Sequence, residues 1–295
     1  VIQLLIVLVL LLPSYVWATC TVTDAYSSAV CADAPTDYYR LDESSGTAMG
    51  SIGSQAEGGT YVGGFTLGQS SVVPSSTDAS VSLNGSTGYL NVPSTGAFPD
   101  ATNNAGWSME FWVNTNDATA VFYSVSDQAN LKQTILIADG GAQNCDFKFF
   151  LEHCTGGDYG TITHATCTAT ARYYVAVTTL GGGSNTLQHA RIYVNGGAPA
   201  EVTSFSGAFC QPSSPPAQWG MWAVGGINQF FYTGKVDEVA FYGVELTQAQ
   251  VQNHYDAGRI PAGAAGMPFT VKRNRLPRVK PWSPREWWLL VSAKP

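Results

Sequence analysis

Carboxylates standing close together are the first residues in this chain that could do chemistry. Asp237 and Glu238 are adjacent, Glu110 sits among hydrophobic neighbours, and Asp42 and Glu43 lie near the start. Glycoside hydrolysis needs two carboxyl groups on one side of the sugar, one as acid and the other as nucleophile or base. Successive strand residues point to opposite faces, so Asp237 and Glu238 would be split. His153, His164, His189 and His254 show no nucleophile–base spacing, and no glycine-rich phosphate loop leads from a strand into a helix. These features argue against an enzyme. Aromatic rings offer other chemistry, because they stack on sugar faces. The candidates for ligand binding are Tyr38, Trp219, Trp222, Phe231 and Tyr232. The odd spacings of Tyr38 and Tyr39, and of Trp219 and Trp222, divide each pair between core and surface.

The six cysteines, Cys20, Cys31, Cys145, Cys154, Cys167 and Cys210, read as three disulfides in an exported protein. Phe147–Leu151 looks like a strand, which holds Cys145 too far from Cys154 for a bridge. A hairpin turn at Gly156-Gly157 would set Cys145 opposite Cys167. The favoured pairs are therefore Cys145 with Cys167, Cys20 with Cys31 and, by elimination, Cys154 with Cys210. A rival reading gathers His153, Cys154, His164 and Cys167 around zinc, which an oxidising compartment disfavours.

The elements that must position these residues are strands. Hydrophobic residues make up 45% of the 295 residues and charged ones only 12%, with 31 glycines, a profile that favours an all-β sandwich. About a dozen short apolar runs are separated by turn residues, with no βαβ alternation. Trp107–Val113 alternates Trp107, Met109, Phe111 and Val113 against Ser108, Glu110 and Trp112. Residues 81–92 read as a hairpin turning at Asn84-Gly85, and a second turn falls at Asn195-Gly196. Lys235–Tyr242 is a strand with one wet face. A helix then opens at Thr247 with Gln250 at capping-box spacing, and Gly258 is placed as its left-handed C-terminal cap.

Residues 1–18 are almost wholly apolar up to Ala18 and read as a cleaved secretory leader, which places the protein as secreted or on the cell surface. Residues 19–36 form a polar lead-in, residues 37–259 the domain, and residues 260–295 a linker and tail. Residues 272–295 hold seven of the fourteen basic residues and one acid, so the rest carries −13 against −7 overall. An acidic body repels nucleic acid and anionic membranes. The tail, with Trp282, Trp287 and Trp288, suits docking onto another protein or surface.

Five segments in order carry a family resemblance: DYYRLDESSGT from Asp37, GTYVGGFTLGQ from Gly59, SVSLNGSTGYLNVP, SMEFWV, and TGKVDEVAFYGVELTQAQVQNHYDAG to Gly258. Together they resemble the laminin-G-like jelly-roll domains of the concanavalin A-like lectin/glucanase group. The resemblance implies two stacked antiparallel sheets with one short C-terminal helix and ligand-binding loops at the sheet rim. Glucanases of this group carry Glu-x-Asp-x-x-Glu or Glu-x-Asp-x-Glu, and the chain has neither. Many members hold Ca²⁺ at a sheet rim through oxygen ligands, a role that would fall to Asp237 with Asp42 or Glu43. The carboxylate-bearing loop of such relatives is replaced here by residues 49–54, MGSIGS, so Asp237 and Glu238 are read first as acceptors for backbone amides. The reading that results is a non-catalytic recognition or adhesion module for glycan or extracellular protein. Its rivals are a structural surface or virion protein docked through the tail, and a glycoside hydrolase.

Overall fold

The computed structural model describes residues 20–93, 104–115, 120–127, 132–139, 145–152, 158–167, 172–209, 217–224 and 227–259. In chain order the elements are α1 (Ala25–Ala32), β1 (Asp37–Tyr39), β2 (Ala48–Met49), β3 (Gly59–Val62), β4 (Phe65–Ser70), β5 (Ala79–Asn84), β6 (Tyr89–Val92), β7 (Gly106–Thr115), β8 (Val121–Asp127) and β9 (Lys132–Asp139). They continue with β10 (Cys145–Glu152), β11 (Asp158–Cys167), β12 (Arg172–Gly183), β13 (Thr186–Val194), β14 (Ala200–Val202), β15 (Ala217–Trp219), β16 (Trp222–Val224), β17 (Ile227–Gln229), β18 (Thr233–Tyr242) and α2 (Gln248–Arg259).

Two antiparallel sheets face each other. The first runs β14-β13-β12-β7-β18-β5-β4, with β1 also on β18; the second runs β11-β10-β9-β8-β15-β6-β3-β2. Alternation on β7 explains how they stack. Trp107, Met109, Phe111 and Val113 enter the core between the sheets, where Phe122, Tyr123, Phe147, Trp219 and Phe241 meet them. The opposite face of β7 is buried as well, because a second core forms there: Trp112, Tyr174, Tyr193, Ala240 and Tyr242 lie under Tyr26, Val30, Leu246 and Val251. The first sheet is thus sandwiched between the second sheet and the two helices.

Several sequence expectations change at this level. The lead-in contains α1, capped by Asp24 and Ser27 in a capping box and closed by the Cys20–Cys31 disulfide. Asp24 and Ser27 have the spacing of an N-cap and its N3 partner, a signal obscured by the short, serine-rich helix. Residues 81–92 are not a hairpin: β5 pairs with β4 and β18 in the first sheet, β6 with β3 and β15 in the second. Asn84 Oδ1 accepts the backbone N–H groups of Ser86, Thr87 and Gly88 and so shapes a corner between sheets. Apolar–turn–apolar patterning is shared by hairpins and corners, and only the partners of each strand tell them apart. The Asn195-Gly196 turn does join paired strands, with both residues at positive φ.

Helix α2 begins as its capping box predicts: Gln250 Oε1 accepts from the Thr247 backbone at 2.9 Å, and the Gln250 N–H is 3.3 Å from Thr247 Oγ1. Gly258, however, lies inside the helix and has no left-handed φ. A Cβ there would come within 2.4 Å of the Trp112 ring and 3.0 Å of Tyr26, so the residue is glycine for close packing. The backbone register sets Cys145 opposite Cys167, as a bridge between them would need. Cys154 and Cys210 lie outside the described residues.

Candidate functional site

The aromatic candidates divide sharply by burial. Tyr38, Trp219 and Tyr232 are fully buried, so no sugar ring can reach them in this fold. Trp219 packs on Phe111, Phe122 and Tyr232 in the core between the sheets. Tyr38 lies in the second core with its hydroxyl on Glu238. The expectation that these three contact ligand is therefore corrected: Tyr38 on β1, Trp219 on β15 and Tyr232 just before β18 are packed into the two cores.

Trp222 and Phe231 are half-buried and reach the surface. They belong to the segment Met221–Tyr232, which leaves β15, forms the small β16–β17 hairpin and returns to β18. Both feet of this segment are tied to β8: Ser124 Oγ donates to the Met221 carbonyl at 2.8 Å, and the Val121 N–H donates to the Phe230 carbonyl at 3.1 Å. Phe230, with φ 55° and 49% exposed, turns its ring outward against Trp222, 5.6 Å between centroids at 30°. The run Phe230-Phe231-Tyr232 marked the place in the sequence, but strand alternation could not single out Phe230. Its left-handed backbone breaks that alternation.

Next to this aromatic pair lies the outward side of the second sheet. Ala217 and Trp219 point into the core, which turns Gln218 away from it beside its register neighbours Asn91 and Ser124; Gln218 and Ser124 are buried there, and Asn91 is half-buried. By the same alternation Tyr89 on β6 and Asp146, Lys148 and Phe150 on β10 face out and are half-buried, while Thr161 and Thr163 on β11 are exposed. Rings, amides, hydroxyls and one charge of each sign share this face. That set of groups can stack on a sugar and hydrogen-bond its hydroxyls.

The acidic candidates are engaged elsewhere. Asp42 is exposed; Glu43 accepts from the Gly50 N–H at 2.7 Å and from the Tyr61 hydroxyl at 2.5 Å. Asp237 is buried and accepts from the Val72 N–H at 2.9 Å and the Ser71 hydroxyl at 2.7 Å. A bulge after Asp237, with Glu238 at φ 55°, cancels the expected split and buries both acids. Burial pushes both carboxyls well above their ordinary range, and the charge of Asp78 adds to this at Asp237, that of Asp237 at Glu238.

Among the described residues the carboxylates close enough to share an ion are Asp24, Asp78 and Glu238, not Asp42, Glu43 and Asp237. Arg40 already stands among them. Its Nη2 is 3.3 Å from Asp24 and 3.0 Å from Glu238 and also binds Asp78. A guanidinium fills the place a metal would take, so the cluster as folded does not fit calcium.

A third constellation looks catalytic by residue type. Glu110 accepts from the hydroxyls of Tyr26 at 3.1 Å, Tyr242 at 3.0 Å and Tyr174 at 2.5 Å. His254 Nδ1 is 2.8 Å from Glu110 and its Nε2 2.9 Å from Asp33. Glu110 and His254 are both fully buried between β7 and the helices, where no substrate reaches them. Of the other histidines, His189 meets Glu245 at 2.7 Å, His164 approaches the Ala198 carbonyl at 3.4 Å, and His153 lies outside the described residues.

No curated protein is similar enough in sequence to match the chain. Among solved structures it is similar to domain 4 of AbnA, a GH43 extracellular arabinanase from Geobacillus stearothermophilus, at 17% identity and TM-score 0.47, covering 75% of this chain and 98% of that one. It is also similar to the binding domain of botulinum neurotoxin DC in complex with SialylT (11% identity, TM-score 0.53, 77% and 52% covered). The binding domain of botulinum neurotoxin serotype C1 is comparable (10%, 0.52, 77% and 53%). The chain spans about half the length of these toxin binding domains. At such identities the likeness is one of fold. The Laminin_G_3 profile matches residues 84–252, more than half of the sequence and the stretch from the β5–β6 corner into α2, and the chain thus belongs to the concanavalin A-like lectin/glucanases superfamily.

Proposed function

We propose that this chain is an exported, non-catalytic recognition module that binds glycan on the outward side of its second sheet. One observation carries the reading: helices cover the outer face of the first sheet, whereas that of the second keeps polar groups and half-buried rings at its surface beside the stacked Trp222–Phe230 pair. Trp222, Phe230 and Phe231 supply the stacking surface; Asn91, Lys148 and Thr161 supply polar groups on strands of the same sheet. Lectin-like membership and the SialylT complex of a similar fold support a sugar as the ligand. The apolar leader and the Cys20–Cys31 disulfide support export.

The test is a glycan array with the full-length chain, run with and without calcium. Binding is expected in both conditions, and Trp222→Ala or Phe230→Ala should weaken it about tenfold, the scale of a lost ring stack. Silence across the array, or binding indifferent to both substitutions, would remove the reading. Release of free sugar from a bound glycan would overturn the non-catalytic part.

A further inference from the structure

The line Asp33–His254–Glu110 plays no part in glycan binding on the other sheet, yet its geometry is demanding. Both ring nitrogens of a fully buried imidazole face carboxylate oxygens, Nδ1 at 2.8 Å from Glu110 and Nε2 at 2.9 Å from Asp33. A neutral imidazole has one N–H and one lone pair, so it can donate to only one of the two. The other nitrogen would then press its lone pair against an anionic oxygen. Both contacts are satisfied together only when the ring carries two protons.

We propose that this line is a proton-operated latch: doubly protonated His254 fastens the C-terminal end of α1 to the sandwich, and loss of one ring proton lets that end go. The two ends are unequal. Glu110 is sealed, and the hydroxyls of Tyr26, Tyr174 and Tyr242 converge on it, so it cannot exchange His254 for water. The Asp33 side chain is 20% exposed and can turn to solvent. The remaining proton therefore stays on Nδ1 toward Glu110, and Asp33 is the end released.

Among the described residues no other charge is paired with these two carboxylates in place of the imidazolium. Glu110 faces it from β7 and Asp33 from the end of α1. From β18 the Tyr242 ring stacks on it at 6.2 Å; from β12 and α1, Tyr174 and Tyr26 meet it through Glu110. On α2 itself Asp256 and Arg259 pair with each other at the surface. The two carboxylates hold the proton on His254 more firmly than usual, against the effect of burial. The disulfide joins Cys20 to Cys31 within one segment and does not tie it to the sheet. Release at Asp33 leaves the helix held by its opposite end, where Asp24 meets Arg40 and Ser76, and by burial of Tyr26 and Val30.

The test follows amide hydrogen exchange in the full-length chain over a pH series, as protection factors so that the intrinsic pH dependence drops out, while ring NMR records the titration of His254. Protection across residues 25–33 should fall about tenfold or more, the scale of a lost charged hydrogen bond. The fall should share the midpoint of His254, with β7 and β18 unchanged. Asp33→Asn should lower that midpoint and flatten the step in α1. Constant protection in α1 while His254 titrates would overturn the latch, as would a His254 that stays protonated up to alkaline unfolding. So would an undiminished step in Asp33→Asn.

Discussion

Arg40 shows how a single side chain can set the terms for its neighbours. Its side chain is 7% exposed and its guanidinium meets Asp24, Asp78 and Glu238, with Asp237 buried next in line. Arg40→Met keeps the stem's packing but leaves buried acids unpaired, a change that costs about 3–5 kcal/mol. Urea denaturation would measure it, and an unchanged midpoint would show that the pairs contribute nothing. Added calcium recovering part of the loss would mean that the guanidinium stands in for an ion. Glu110 predicts the acid limb of stability. Burial alone would raise its carboxyl, but the His254 charge and the hydrogen bonds from His254, Tyr174 and Tyr242 bring it below the usual 4.5. Its contribution is therefore present above about pH 4.5 and lost as pH falls through the lower folded value. The urea midpoint should drop along that limb, and Glu110→Gln should flatten it. For His254 the sign is opposite: its folded value is raised above 6.5, so its contribution is complete below that pH and lost as pH rises.

At the scale of elements, α2 can approach the first sheet because Gly258 has no side chain. Gly258→Ala would drive a methyl into Trp112 and Tyr26, and overpacking of this kind costs about 1–3 kcal/mol. Thermal denaturation is the measurement, and a stabilised variant would return Gly258 to the role of a poor helix former. Sequence periodicity exposed the strand β7 correctly, down to which residues share a face, because alternation is a local property of extended chain. It could not show that both faces are buried, since that depends on helices more than 70 residues before it and more than 130 after. The same limit explains the β5–β6 corner, where local turn chemistry was right and the pairing inferred from it was not. It also explains Trp219 and Tyr232, aromatic residues whose burial is decided by what lies across the sheet.

For the whole molecule, compactness divides the chain into Val1–Gly263 and Ala264–Pro295, and every described residue belongs to the first unit. Removing residues 264–295 should leave the melting temperature within about 2 °C of the whole chain, since every residue of the two described cores lies before Gly263. A larger fall would mean that the basic, tryptophan-bearing tail contributes to folding. If the tail instead docks the protein onto an assembly, its removal should abolish that attachment and leave glycan binding intact. Composition, strand alternation, turn residues and the capping box at Thr247 determined an all-β sandwich with a closing helix, because each depends on neighbours within a few residues. The tertiary structure alone decided that the helices cover the first sheet, that Arg40 stands among three acids, and that Asp33, Glu110 and His254 meet. Those outcomes rest on contacts between residues 16 to 221 positions apart, which no local pattern encodes.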